Sequence, residues 1–455
     1  MEESDFYGIG GMTETVCLDH FTDGVLRNAL ESEADSYECS FCGREGAEGE
    51  APFAVEMDEF GALVWEVLTW LYDWTEDSGD PWGWREFEVY DNTYVAYETV
   101  EEAVDPDYAM QIVECLIRAT TSSDAWVPSD RTTPSALGWG AFSRTVRTES
   151  RFVIVGTSSR PGFEDEPPAR LGRFLDALLA YVESDLLVEL PAGSTLYRGR
   201  MADSARSLMT KVEAEPSTEL GSAPPELAKN GRLSAPGISL FYAADDLHVA
   251  VAEIGLHSDY NEAVVGAFKT TQPLRILDFT RPLTKLPSLF ATDDESRRRW
   301  LFARFKKHFT DMIAAPVLLD GRETIDYTPT QLVAEWLRYV PVERIDGLAW
   351  PSHLAEESNS DSELCSAPTG SHGRNVALFY GHGPDFQTIP PTDSELKRKP
   401  QKAPTLTLSR DDITLHRARR SVKVTEIETD DEDDPDPLFM GIRAALPVYC
   451  RPHPS

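Results

Sequence analysis

Cysteine is scarce in this chain of 455 residues: Cys17, Cys39, Cys42, Cys115, Cys365 and Cys450 are all it has. So few, and so scattered, they exclude a disulfide framework. Basic residues are also in short supply, with 42 Lys and Arg against 78 Asp and Glu and a net charge of −36. That field repels polyanions, which argues against general affinity for nucleic acid or an anionic membrane. No apolar run approaches the roughly 18 residues needed to cross a bilayer. The acidic start, Met-Glu-Glu-Ser-Asp-Phe, lacks the basic-then-apolar order of a secretory signal. There is neither a Walker A loop nor a GxGxxG after a strand, so kinase, NTPase and Rossmann oxidoreductase readings find no support. With 41% apolar residues the chain can still bury sizeable cores, in about two or three domains. The expectation is a soluble, cytoplasmic, multidomain protein.

Four stretches differ in character. Residues 1–50 are polar and punctuated by Gly and Cys. Residues 51–190 hold seven of the ten tryptophans and three helix-like segments, Phe60 to Trp74, Tyr108 to Ala119 and Pro168 to Val182. In the last, Leu171, Phe174, Leu175, Leu178 and Leu179 share one face at helical spacing. Residues 191–390 show short β-like runs at 195–197, 238–242, 263–268, 274–279 and 376–380, broken by helices and Pro/Gly turns. Residues 391–455 are poor in apolar residues, with basic clusters at Lys397 to Lys402 and around Arg417 and an acidic run from Glu428 to Asp436. That composition suits a charged C-terminal extension.

Near the start, Cys17-Leu-Asp-His20 and Cys39-Ser-Phe-Cys42-Gly43 form two pairs, each with two residues between its members. This spacing fits a tetrahedral zinc knot, closed and therefore structural, with Gly43 letting the backbone reverse. Asp19 is the nearest rival to His20 as fourth ligand. Free buried thiols beside a surface histidine are the simpler alternative.

Chemistry concentrates further on. Arg198 lies in Leu-Tyr-Arg-Gly-Arg, and Gly231-Arg232 precedes a Pro236-Gly237 turn. A strand ending at Tyr242 follows. A helix capped by Asp245 then carries Leu247, Ala250, Val251 and Ile254 on its buried stripe and Glu253 beside it. An arginine can grip a diphosphate, a tyrosine can stack on a flat heteroaromatic ring, and a carboxylate can stabilise an oxocarbenium-like sugar. Each residue also has a plainer reading. Arg198 and Arg232 suit surface ion pairs, Tyr242 core filling, Glu253 a solvated helix face and Ser352 a turn.

The ordered set Arg232, Tyr242, Glu253 and, in Asp346-Gly-Leu-Ala-Trp-Pro-Ser352, a distant serine resembles the RES family. Supporting matches are Asp278, the Tyr327-Thr-Pro-Thr-Gln331 segment and Gly373-Arg-Asn375, together covering about residues 195–385. The N-terminal half is similar to the helical HEPN/RES N-terminal domain. The chain is thus expected to comprise a zinc knot at 1–50, a helical domain at 51–190, an α+β catalytic domain at 191–390, for which the resemblance implies an ADP-ribosyltransferase-like fold, and a charged extension at 391–455. The resemblance also implies NAD as substrate. Glu253 would stabilise the cationic sugar and Tyr242 would stack on nicotinamide. Arg232 and Arg198 would bind phosphate, and Ser352 would anchor ribose or phosphate. The implied activity is that of a toxin cleaving the nicotinamide–ribose bond by hydrolysis or phosphorolysis. ADP-ribosyl transfer to a protein and an inactive zinc-stabilised adaptor are the alternatives. An antitoxin or regulatory protein and a second copy of the chain stand open as partners. RNA cleavage through a HEPN Arg-x₄₋₆-His motif is disfavoured, because no histidine lies between His20 and His248. The chain departs from the family at Leu233, where an aromatic is usual, and in an insertion from Leu354 to Ser371.

Overall fold

The structure is a computed structural model that describes residues 11–47, 49–74, 90–119, 125–128, 138–156, 166–256, 258–283, 288–315, 323–352, 373–398 and 402–418. The 354–371 insertion and the 428–436 acidic run fall outside these residues. The chain divides into two units, residues 1–142 with 283–305 and residues 143–282 with 306–455.

The first unit begins with β1 (Thr15–Cys17), α1 (Gly24–Glu31), β2 (Ala54–Glu56), α2 (Met57–Leu71), β3 (Tyr72–Trp74), α3 (Asn92–Val100), α4 (Pro106–Arg118) and β4 (Trp126–Pro128). Asp23, Asp91 and Asp105 accept backbone N–H groups at the starts of α1, α3 and α4. Such caps satisfy donors that a helix cannot pair internally. The helical period expected from Phe60 to Trp74 stops at Leu71. Tyr72 leaves the helix because its ring is buried and its hydroxyl donates to Glu98 at 2.8 Å, while Tyr72–Trp74 pairs antiparallel with β4.

Helices α5 (Gly138–Thr148) and α6 (Pro167–Tyr181) come next. The second unit then continues through β5 (Leu187–Leu190), β6 (Thr195–Ala202), α7 (Ala205–Ala214), α8 (Pro216–Leu220), β7 (Phe241–Ala244), α9 (Leu247–Leu256), β8 (Glu262–Thr270) and β9 (Leu274–Asp278). After them come α10 (Asp294–Ala314), α11 (Glu323–Asp326), α12 (Thr328–Tyr339), β10 (Gly347–Pro351), β11 (Arg374–Leu378), β12 (Phe386–Ile389), α13 (Asp393–Lys397) and β13 (Leu406–Arg417). Helices α5 and α10 contribute residues to both units.

Nine strands form one mixed sheet in the order β12-β13-β8-β6-β7-β11-β10-β9-β5. Pairing is antiparallel except between β10 and β9 and between β12 and β13. Leu196, Phe241, Val264, Phe268, Val376, Leu378 and Leu408 make one core. Phe241 and Phe268 meet edge to face with centroids 5.0 Å apart. Each such side chain contributes roughly 1.5–3 kcal/mol on burial. Residues 406–417, within the stretch read from composition as a charged extension, are strand β13, paired with β8 over most of its length. Leu406, Leu408 and Ile413 supply the apolar face that the low average composition conceals.

Alternation puts the opposite side chains of β7 over the other face of the sheet. Four residues line up across neighbouring strands there, Tyr197 on β6 against Ala244, Ala244 against Asn375, and Asn375 against Trp350. Directly paired residues share a face. Val249 and Ala250 of α9 pack on this row with Tyr197 and Ala244. The row positions the candidate site.

Candidate functional site

Glu253 sits near the middle of α9, a helix started by Asp246, whose carboxylate accepts the N–H groups of His248 and Val249. The cap was expected at Asp245. That residue instead accepts the backbone N–H and the Nε of Arg374, at 2.7 and 2.6 Å. The other arm of Arg374 donates to Asp278 at 2.7 Å. Arg374 thus ties the end of β7 to the end of β9 and the start of β11.

From α9, the Glu253 carboxylate reaches two side chains. Ser352 Oγ donates to Oε1 at 2.7 Å and Asn375 Nδ2 to the same oxygen at 2.6 Å. Ser352 is 3% exposed and Asn375 8% exposed, so these donors act away from bulk water. Two of the expected residues, Glu253 and Ser352, are therefore brought together, with Asn375 as a third. Asn375 figured in the sequence only as part of a supporting motif. Beside it, Trp350 keeps its indole N–H buried without a hydrogen-bond partner. No spacing rule points to either residue, because the sheet register brings them here.

Tyr242 and Arg232 form a second group. Tyr242 is the second residue of β7 and not its end, because the strand starts only at Phe241. Its phenol accepts the Leu233 N–H at 3.2 Å and lies 3.1 Å from Ser234 Oγ. Burial pushes its titration upward, so the hydroxyl stays protonated. These contacts hold the Gly231-Arg232-Leu233-Ser234 turn, where Gly231 pairs with Ser234. Gly231 leaves room for the hydroxyl, since a Cβ there would lie 2.9 Å from it. Helix α12 braces the same turn. Thr330 donates to the Arg232 carbonyl, and Gln331 Nε2 donates to Asn230 Oδ1 at 2.8 Å and to the Gly231 carbonyl at 2.7 Å. The sequence offered Gln331 only as a motif match.

Arg232 donates through one arm to the Ile313 carbonyl. Its remaining N–H groups have no hydrogen-bonding partner among the described residues. Arg198 differs. Its Nε donates to the carbonyls of Leu220 and Gly221, at 3.0 and 3.2 Å, and an arm donates to the Tyr242 carbonyl at 2.5 Å. Burial lowers its titration to about 10, with Arg200 adding repulsion, and it stays cationic at neutral pH. Taking a guanidinium partly out of water costs less when its donors are paired, and backbone carbonyls pair Nε and one arm here. Arg198 therefore fixes the backbone under Tyr242. We expect Tyr242→Phe, which strips a buried N–H of its acceptor, to cost about 1–3 kcal/mol of stability in urea unfolding of the full chain. A loss below about 0.5 kcal/mol would show the hydroxyl to be dispensable to the turn.

In the first unit, Cys17, His20, Cys39 and Cys42 bring their ligand atoms within 4.8 Å of one another. Cys17 and Cys42 have sulfurs 3.9 Å apart. Gly43 has φ +67°, the left-handed turn expected after the second pair. Burial, then the neighbouring Cys39 and Cys42, push Cys17 up to about 12. Burial also opposes ionisation of Cys39, but backbone N–H groups of Cys42, Cys17 and Phe41 outweigh it and lower its titration. His20 is 5% exposed, burial lowers its titration, and its Nε2 is buried without a hydrogen-bond partner. Asp19 points elsewhere, into ion pairs with Arg27 at 3.1 Å and Arg44 at 2.9 Å. That removes it as the rival fourth ligand. Three crowded sulfurs and an orphaned imidazole nitrogen fit a metal ion.

Residues 206–399 match the RES domain family model, which takes in Arg232, Tyr242, Glu253, Ser352 and Asn375. Residues 32–160 match HEPN/RES N-terminal domain 1, a span that holds Cys39 and Cys42 and begins after Cys17 and His20. No curated protein and no solved structure matches the chain. With helices leading in the first unit and a mixed α/β sheet in the second, the chain carries a HEPN/RES N-terminal domain 1 followed by a RES domain.

Proposed function

We propose that this protein is an NAD-consuming enzyme, a toxin whose RES domain breaks the bond between nicotinamide and ribose. The observation that carries the reading is the Glu253 carboxylate, held at one oxygen by Ser352 and Asn375 inside the RES match. In this reaction the C1′–N bond breaks with its electron pair moving to the ring nitrogen, so nicotinamide leaves neutral. Positive charge then develops on the ribose. A fixed carboxylate beside that carbon stabilises the cation more than the ground state. Water or inorganic phosphate adds to C1′ and gives up a proton. Tyr242, its ring held through the hydroxyl, suits a stacking platform for nicotinamide, and the arm of Arg232 not bonded to Ile313 suits a phosphate. Arg198, whose Nε and one arm donate to backbone carbonyls, suits a support beneath the platform. The four-residue Cys/His cluster suits a structural zinc, because all four tetrahedral positions would be filled by protein.

Purified protein incubated with NAD should release nicotinamide, with ADP-ribose as co-product in phosphate-free buffer or a phosphorylated ADP-ribose when phosphate is present. Mass spectrometry distinguishes the two. ADP-ribose found only on protein would instead indicate transfer to a side chain. Intact NAD under all conditions would make the chain an adaptor and overturn the reading.

A further inference from the structure

We infer that Asn375 is the positioning residue that fixes the Glu253 carboxylate, an inference whose catalytic consequence rests on the NAD reading above. Ser352 and Asn375 converge on a single oxygen, Oε1. Oε2 has no protein donor among the described residues, which leaves it to face the cationic sugar. The two donors are not equivalent. A serine hydroxyl rotates and can donate or accept, so by itself it does not determine which way the carboxylate turns. The amide NH₂ of Asn375 can only donate. It also brings no charge of its own, so it holds the carboxylate without neutralising it.

The strand makes this donor rigid. Asn375 lies on β11 between β7 and β10, paired with Ala244 on one side and Trp350 on the other. The residue before it, Arg374, is clamped to Asp245 and Asp278. Those three charged groups on the ends of β7, β11 and β9 are joined to one another, with Lys306 of α10 also facing Asp278 and Asp246 engaged in capping α9. Tyr197 on β6 and Tyr242 on β7 lie on the same face, as do Lys269 on β8, Arg275 on β9, Glu189 on β5 and His416 on β13, the last near His248 of α9, and Arg198 on β6 donates to the Tyr242 carbonyl. Glu253 is thus the single carboxylate that Asn375 meets among the described residues.

Asn375→Asp tests the contact directly. It keeps the shape, removes the donor and sets a second carboxyl against Glu253. Two carboxylates at hydrogen-bond distance cannot both ionise cheaply, so the pair retains one proton. One of them then titrates above the roughly 4 of an unfolded carboxyl. The folded variant holds a proton that the unfolded chain has lost, so its stability falls as pH rises through the raised value. We expect the melting temperature of Asn375→Asp to fall further below that of the parent as the buffer goes from about pH 5 to about pH 8. In the double variant Glu253→Gln/Asn375→Asp, the new amide can donate to the new carboxylate, and this widening should vanish. Separately, Asn375→Ala should lower kcat for NAD by about 10- to 100-fold while KM changes less than about threefold.

A gap in melting temperature that does not change with pH, or one that persists in the double variant, overturns the contact whatever the parent does with NAD. An Asn375→Ala enzyme that keeps its kcat overturns the positioning role. A parent that leaves NAD intact while the melting results hold overturns the proposed function and the catalytic consequence drawn from it, and leaves the contact established.

Discussion

Replacing Glu253 with Gln is expected to cut NAD turnover by about 10²–10³-fold or more, the scale on which single electrostatic stabilisers of a transition state act. The substitution keeps the planar shape, and a carbonyl oxygen can still accept from Ser352 and Asn375, whose contacts measure 2.7 and 2.6 Å. What it removes is the negative charge that, in the proposed reaction, would face the developing ribose cation. The loss should fall on kcat, because the charge matters most when the cation forms. The melting temperature should stay within a few degrees of the parent, because no buried donor loses its partner. Stopped assays of NAD consumption, run beside thermal unfolding, check both halves. A Glu253→Gln enzyme with more than about a tenth of parental turnover would mean that another group carries the charge.

Metal removal should have the second large effect. One zinc is expected per chain, and structural zinc binds small domains with roughly 10–16 kcal/mol of apparent free energy near neutral pH. The first unit packs Cys17, Cys39, Phe53 and Ala54 in a small cluster whose apolar burial alone is modest, with His20 and Cys42 beside the two cysteines. Without the ion, crowded sulfurs and a buried imidazole lose the partner that justifies their burial. A strong chelator should therefore unfold the segment around residues 15–56, read as loss of amide protection there, while the nine-stranded sheet keeps its protection. Because the ion must displace protons from the thiols, affinity should decline as the pH is lowered. Elemental analysis of protein purified without chelator gives the stoichiometry. Absence of zinc, or a chelator-treated chain with unchanged protection, would leave the cluster as plain packed thiols.

Features that depend on short spacing were legible in the chain before any fold was known. Each Cys/His pair closes through a local turn, and Gly43 with φ +67° lets the second one reverse. The burial of Leu171, Phe174, Leu175 and Leu178 on one face of α6 likewise follows from helical period. The order of Arg232, Tyr242, Glu253 and Ser352 was legible too, as a pattern without geometry.

Tertiary structure alone decided which of these residues meet. Ser352 and Asn375 are 99 and 122 positions from Glu253, so their convergence depends on how β10 and β11 pair beside β7. Register is a property of the assembled sheet, and a slip of one residue would turn Asn375 to the other face. The contacts of Arg198 were illegible for the same reason. Its three carbonyl partners come from α8, the residue after it and β7, which no local window contains. Strand β13 was hidden by a charged average, because only one of its faces is buried and the other meets water. Local spacing fixes what a segment can form, and the long-range pairing of segments decides which side chains can act together.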